Sequence, residues 1–150
     1  MRHRPVVLAI AGLYAVAIVL IGFWPTHVDQ NLGLAHHPPT AWLVSWFDLT
    51  PERAYSVGEF CANVLLFVPL GIFAMLLVPR ISWLRTVVGA LAVTVVIEVV
   101  QTLLRPDRTG SVRDVVANTL GAAIGAALVL STRQMRFAAD RAATGTTRPQ

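Results

Sequence analysis

Hydrophobic positions in this chain fall in long unbroken runs, without the spacing that covers one face of a water-soluble helix. The first, Val6 to Trp24, holds nineteen apolar residues. At the helical rise this is about 28 Å, close to the thickness of a bilayer's hydrocarbon core. Similar runs follow at Phe60 to Val78, Thr86 to Leu104 and Val112 to Leu130, the last with Arg113 and Asp114 in its first turn. The β-branched stretch Ala92 to Val100 has strand propensity, but it continues into a nineteen-residue apolar-dominated run. That favours helix, because an open sheet in lipid leaves backbone groups unpaired. The pattern predicts an all-α polytopic membrane bundle of four transmembrane helices. The first run is long for a signal peptide and ends in Trp24-Pro25 without a small-residue cleavage site, so it is expected to stay as an anchor.

Composition supports this. Of 150 residues, 55% are hydrophobic and 13% charged, with a mean hydropathy of +0.64. Soluble domains carry about 25% charged residues, so a soluble enzyme is excluded. The net charge of +4 comes from twelve arginines and no lysine. In so apolar a chain this points to anionic lipid headgroups, with no nucleic-acid partner expected. With the amino terminus inside, the cytoplasmic flanks collect Arg2, Arg4, Arg80, Arg85, Arg133, Arg136, Arg141 and Arg148. The outer flanks collect Arg53, Arg105, Arg108 and Arg113. Both termini are therefore expected in the cytoplasm. The loop from about Pro25 to Glu59 would lie outside, with Trp42 and Trp46 on one face of a short interfacial helix beside Phe47. Residues 1–130 form the expected membrane domain, and 131–150 a basic cytoplasmic tail whose composition suggests disorder. His36 and His37 are adjacent and lack an acidic or cysteine partner at ligand spacing, so neither a metal site nor a cofactor is expected. Cys61 reads as a small apolar residue.

Ionisable groups in hydrocarbon need a partner or a wet cavity. Glu98, Gln101 and Arg105 sit at i, i+3 and i+7 of the third span and share one face. Asp114, Asn118, Gly121 and Gly125 share a face of the fourth. On the second, Glu59 and Asn63 are one turn apart, and Phe67 continues the line. Because successive spans run in opposite senses, these groups all fall toward the outer half. The expected result is an outward-opening polar pocket of Glu59, Asn63, Glu98, Gln101, Arg105, Arg108, Arg113, Asp114 and Asn118. The competing structural reading makes Gln101 and Asn118 interhelical hydrogen-bond glue and Glu98–Arg105 a buried pair. Gly121-x-x-x-Gly125 permits close helix packing, within the chain or in a homo-oligomer. Pro69 removes a backbone hydrogen bond and is expected to kink the second span.

Asn63-x-x-x-Phe67-x-Pro69-Leu70-Gly71, Glu98-x-x-Gln101, then Arg105, Arg108 and Asp114-x-x-x-Asn118-x-x-Gly121-x-x-x-Gly125, on consecutive spans, resembles the VanZ-like family of small bacterial membrane proteins. The resemblance covers about Glu59 to Leu130. It implies a multi-pass protein of the bacterial cytoplasmic membrane, from a family whose founding member is associated with low-level resistance to teicoplanin, a lipid-tailed glycopeptide. It implies no established reaction. Asn63, Glu98, Gln101, Arg108, Asp114 and Asn118 are the functional positions it carries over. The segment Arg105-Pro-Asp-Arg-Thr-Gly110 departs from the family's proline, glycine and arginine arrangement, which leaves open which arginine corresponds. The favoured function is non-catalytic binding of an envelope lipid headgroup or amphiphile, including a lipid-linked or glycopeptide ligand, in the outward pocket. Two alternatives stand beside it: an intramembrane enzyme with Glu98 as general base, and a small transporter or helix-packing scaffold.

Overall fold

The computed structural model describes residues 4–22, 50–78, 80–104 and 111–145. Among them the chain is all α-helical, with four helices each long and apolar enough to cross a membrane. They are α1 (Arg4–Gly22), α2 (Pro51–Leu77), α3 (Trp83–Leu104) and α4 (Val112–Gly145). Large apolar side chains such as Leu13, Leu65, Val96 and Leu128 stand exposed on all four. That surface suits lipid and is incompatible with water, so the chain is a multi-pass membrane protein.

Two helix boundaries differ from the sequence reading by more than three residues. α2 begins at Pro51, so the last nine residues of the expected loop are helical. Thr50 is its N-cap and accepts from the Arg53 backbone N–H at 3.4 Å, Pro51 occupies the first turn where no N–H is needed, and Glu52 meets the positive end of the helix dipole. At the other end of the chain, α4 continues past Leu130 to Gly145 through residues expected to be disordered. Alanine, arginine, glutamine and methionine dominate that stretch and are strong helix formers. The segments holding Trp42, Trp46, Phe47, His36 and His37 lie outside the described residues.

The bundle is built on α2 against α4, its most extensive contact, with α3 packed chiefly on α4. Small residues set the α2–α4 distance. A Cβ on Gly71 would lie 1.9 Å from the Ala122 carbonyl oxygen, one on Gly121 2.1 Å from that of Val64, and one on Gly125 2.0 Å from that of Val68. The Gly121-x-x-x-Gly125 face is thus covered by α2 of the same chain, and a second copy docking there would first have to displace it. Toward the α2–α3 turn, Met75, Ala126 and Val129 form an apolar core flanked by Ile72 and Ile81. There the Arg133 guanidinium donates to the Met75 carbonyl, placing a cation at the negative end of α2. In the turn itself Arg80 adopts φ 61, a left-handed conformation costly for a residue with a Cβ.

α1 has no buried residue and rests on the side of the bundle. Its Tyr14 hydroxyl donates to the Leu66 carbonyl at 2.7 Å, and the ring packs on Phe73 with centroids 5.5 Å apart. Pro69, one turn on from this carbonyl, sits inside α2, which runs unbroken from Pro51 to Leu77. It supplies no N–H to the Leu65 carbonyl, which neighbours the carbonyl that takes the Tyr14 hydroxyl.

Candidate functional site

Three contacts place the carboxyl ends of α1 and α3 beside the amino ends of α2 and α4. Gln101 Nε2 donates to the Gly22 carbonyl at 2.7 Å. The Ser111 N–H donates to Glu98 Oε2 at 2.9 Å. Arg113 donates to the Ser56 side chain and carbonyl. The alternating senses of the helices therefore bring the polar stripes to one end of the bundle.

There, Asn63, Glu98, Gln101, Asp114 and Asn118 line one cavity of about 110 Å³, walled on its apolar side by Ile18, Val19, Ile21, Leu66, Phe67 and Ile97. Every helix contributes. Asn63 Nδ2 on α2 donates to Asp114 Oδ1 on α4 at 3.0 Å. Asn118 Nδ2 on α4 donates to Thr94 Oγ1 on α3 at 2.8 Å. Asn118 is 4% exposed, and its Oδ1 has no hydrogen-bond partner. Buried polar atoms are nearly always satisfied, so an acceptor held this way at a cavity wall is costly unless something donates to it.

Glu98 also has a local task. Ser111 is the N-cap of α4: its Oγ accepts from the Asp114 N–H at 3.3 Å and its carbonyl from the Val115 N–H at 3.2 Å. The Glu98 carboxylate takes the backbone N–H of that same cap residue, across from α3. In an ordinary capping box a residue of the same helix does this. Glu98 and Asp114 both lie at the positive end of the α4 dipole, which favours negative charge there. Behind Glu98, an apolar groove between α3 and α4 runs past Val95, Val99, Leu103 and Val115.

The remaining predicted residues are placed differently. Glu59 is half-buried one turn before Asn63 and is not among the residues lining the cavity. Arg113 turns toward α2, its guanidinium 5.6 Å from the centre of the Phe60 ring as well as bonded to Ser56, and is absent from the cavity wall. Arg105 and Arg108 lie outside the described residues. The sequence reading missed Thr94, Ser111 and the Gly22 carbonyl. Thr94 precedes Glu98 by one turn and shares the buried face of α3 with Thr86, Ala90 and Gln101, a spacing that could have identified it. A backbone carbonyl such as that of Gly22 carries no sequence signature. No group of three His, Cys, Asp or Glu residues that could hold a metal ion is found among the described residues.

A second cavity, of about 470 Å³, adjoins the first and shares Ile18, Val19, Phe67 and Ile97 with it. It runs between α1, α2 and α3 toward the α2–α3 turn and is lined almost wholly by apolar groups. The combined site therefore has a polar head and an apolar extension.

Comparison with known families gives one finding: the family model described as VanZ/LLP1 matches residues 11–133. No curated protein and no solved structure matches the chain.

Proposed function

Because the chain belongs to the VanZ/LLP1 family, we propose that it is a non-catalytic membrane protein that binds an envelope amphiphile, with the headgroup in the polar cavity. The observation that carries this reading is the convergence of five side chains from three helices, including two carboxyl groups and a buried unpartnered acceptor, on one cavity closed by a fourth helix. Helix packing alone accounts for each amide pair, which in membrane bundles contributes about 0.6 kcal/mol. It does not account for a void kept among them. The arginine distribution supports an outward-facing cavity in a bacterial cytoplasmic membrane, with both termini inside. The family resemblance supports a role in susceptibility to lipid-tailed glycopeptides of the teicoplanin type, through a change in how such a drug meets the cell surface.

The test uses cells making the wild-type protein, Asp114→Ala or no protein, with membrane levels matched. Surface binding of a labelled lipid-tailed glycopeptide is measured, together with the lipid that copurifies with the protein in mild detergent. Binding and susceptibility are expected to change with the wild-type protein alone, and Asp114→Ala is expected to lose the copurifying lipid while remaining monodisperse. Equal lipid in variant and wild type would remove the cavity from the mechanism.

A further inference from the structure

The larger cavity, a groove between α1, α2 and α3, is hollow because small side chains stand where bulky ones would close it. Ala11 and Ala15, one turn apart on α1, line it together with Ala74 on α2. α1 buries no residue, so it lies against its neighbours without filling the space. The single polar side chain in the lining is Tyr14, and its hydroxyl is donated to the Leu66 carbonyl while its ring packs on Phe73. Water in such a space lacks the polar partners it needs. Hydrocarbon fills it without leaving any hydrogen bond unmade.

Size says how much hydrocarbon. An apolar cavity of about 150 Å³ takes a six-carbon benzene ring. The groove, at about 470 Å³, is about three times as large and has room for on the order of eighteen carbons. Along α2 it extends from Phe67 to Val78, about 16 Å at the helical rise, and one leaflet's share of the hydrocarbon core is about 15 Å. Volume and length both match one acyl chain, with no place for a second. On the same scale the polar cavity of about 110 Å³ holds on the order of four non-hydrogen atoms, a carboxyl group or an ester junction and little beyond. Phe67 and Ile97 belong to both walls, so a chain leaving the groove at this end meets the polar side chains.

We propose that the groove binds one acyl chain, and that the ligand of the combined site is a single-chain amphiphile with the first polar group after its chain in the polar cavity. This rests on the amphiphile-binding reading and specifies its ligand class. Recognition then falls chiefly on the tail. A headgroup larger than an ester junction places only its chain-proximal atoms in the polar cavity. A two-chain lipid has to leave one chain outside the groove, on the lipid-facing surface.

Three probes separate the possibilities: palmitoyl lysophosphatidylcholine, its octanoyl counterpart, and two-chain dipalmitoyl phosphatidylcholine. Retention of each by the full-length protein is measured by native mass spectrometry in a steroid-based neutral detergent, which brings no acyl chain of its own. The palmitoyl single-chain lipid is expected to be retained about tenfold better than either of the others. Ala15→Trp puts an indole in the groove and is expected to abolish that preference. Leu13→Trp adds an indole to α1 at an exposed position outside the groove lining, and is expected to bind as wild type does. A palmitoyl chain carrying a diazirine at its end is expected to label α2 near Leu77 and Val78. Equal retention of one- and two-chain lipids by wild type, or labelling spread over exposed Val96 and Leu128, would overturn the single-chain groove and leave amphiphile binding at the polar cavity standing. Equal loss in monodisperse Ala15→Trp and Leu13→Trp would also overturn the groove. No retention of any probe by monodisperse wild type would overturn both readings.

Discussion

Gly125 and Gly89 sit on adjacent membrane helices, and alanine should affect them in opposite ways. At Gly125 the added Cβ would lie 2.0 Å from the Val68 carbonyl oxygen. Backbone cannot swing aside as a side-chain tip can, so α2 and α4 must separate. Overpacking of this kind costs about 1–3 kcal/mol, and Gly125→Ala is expected to lower the thermal midpoint in detergent by several degrees. At Gly89 a Cβ meets nothing within 4 Å. Alanine there replaces the residue least suited to a helix interior, a gain of up to about 1 kcal/mol, so Gly89→Ala is expected to match or exceed wild type. A thermal scan of both proteins at matched detergent concentration checks the pair. The close-packing use of Gly121 and Gly125 was legible from their spacing, whereas Gly71 sits beside Pro69 and reads equally well as part of a kink. Thr94 escaped notice for a related reason: in a run of valines a threonine is one more β-branched residue until the asparagine facing it is known.

At the scale of the element, α1 depends on few attachments. It buries no residue, and the tyrosine bond to Leu66 and the Gln101 bond to Gly22 tie it to α2 and α3. Tyr14→Phe removes one of these while keeping the ring on Phe73. A hydrogen bond of this kind contributes about 1 kcal/mol, so hydrogen exchange in α1 is expected to quicken about fivefold while α2 and α4 are unchanged. α1 walls both cavities, so the variant is also expected to retain lipid less well. The start of α2 makes a second case. Thr50→Ala removes the cap and is expected to cost about 1 kcal/mol, read as faster exchange confined to the first turn, near Arg53. That start was present in the sequence as Thr50-Pro51-Glu52, a cap, a first-turn proline and an acidic residue. Apolar runs locate what lies in hydrocarbon and pass over the amphipathic turn before it. The far end of α4 went unseen for the converse reason. Low hydrophobicity suggested disorder, but residues poor at building a core can still be good at building a helix.

For the molecule as a whole, the claim with the widest reach is that polar groups from separate spans meet at one end. Chain alternation made this legible without any motif, since it follows from i, i+3 and i+7 positions on helices of opposite sense. The hydrogen bonds were not legible in the same way. Asp114 and Asn118 share a face, yet one turns to α2 and the other to α3, a choice set by helix spacing and not by sequence distance. The arginine asymmetry leads to an expectation about sidedness: reporters fused at either terminus should both register the cytoplasm. A carboxyl-terminal alkaline phosphatase fusion is expected to be inactive and a fluorescent-protein fusion bright. The reverse would turn the polar cavity toward the cell interior and remove its access to surface drugs.

α4 contains 34 residues, about 51 Å of helix, and the hydrocarbon it crosses is about 30 Å thick. The surplus continues the same rod that α2 grips. A rigid fiducial domain spliced in helical frame onto this shaft would inherit the attitude of the buried segment, and each residue added or removed at the splice would turn it by about 100°. Its bearing, imaged on single particles with and without ligand, would convert a small tilt of α4 at the cavity into a displacement large enough to see.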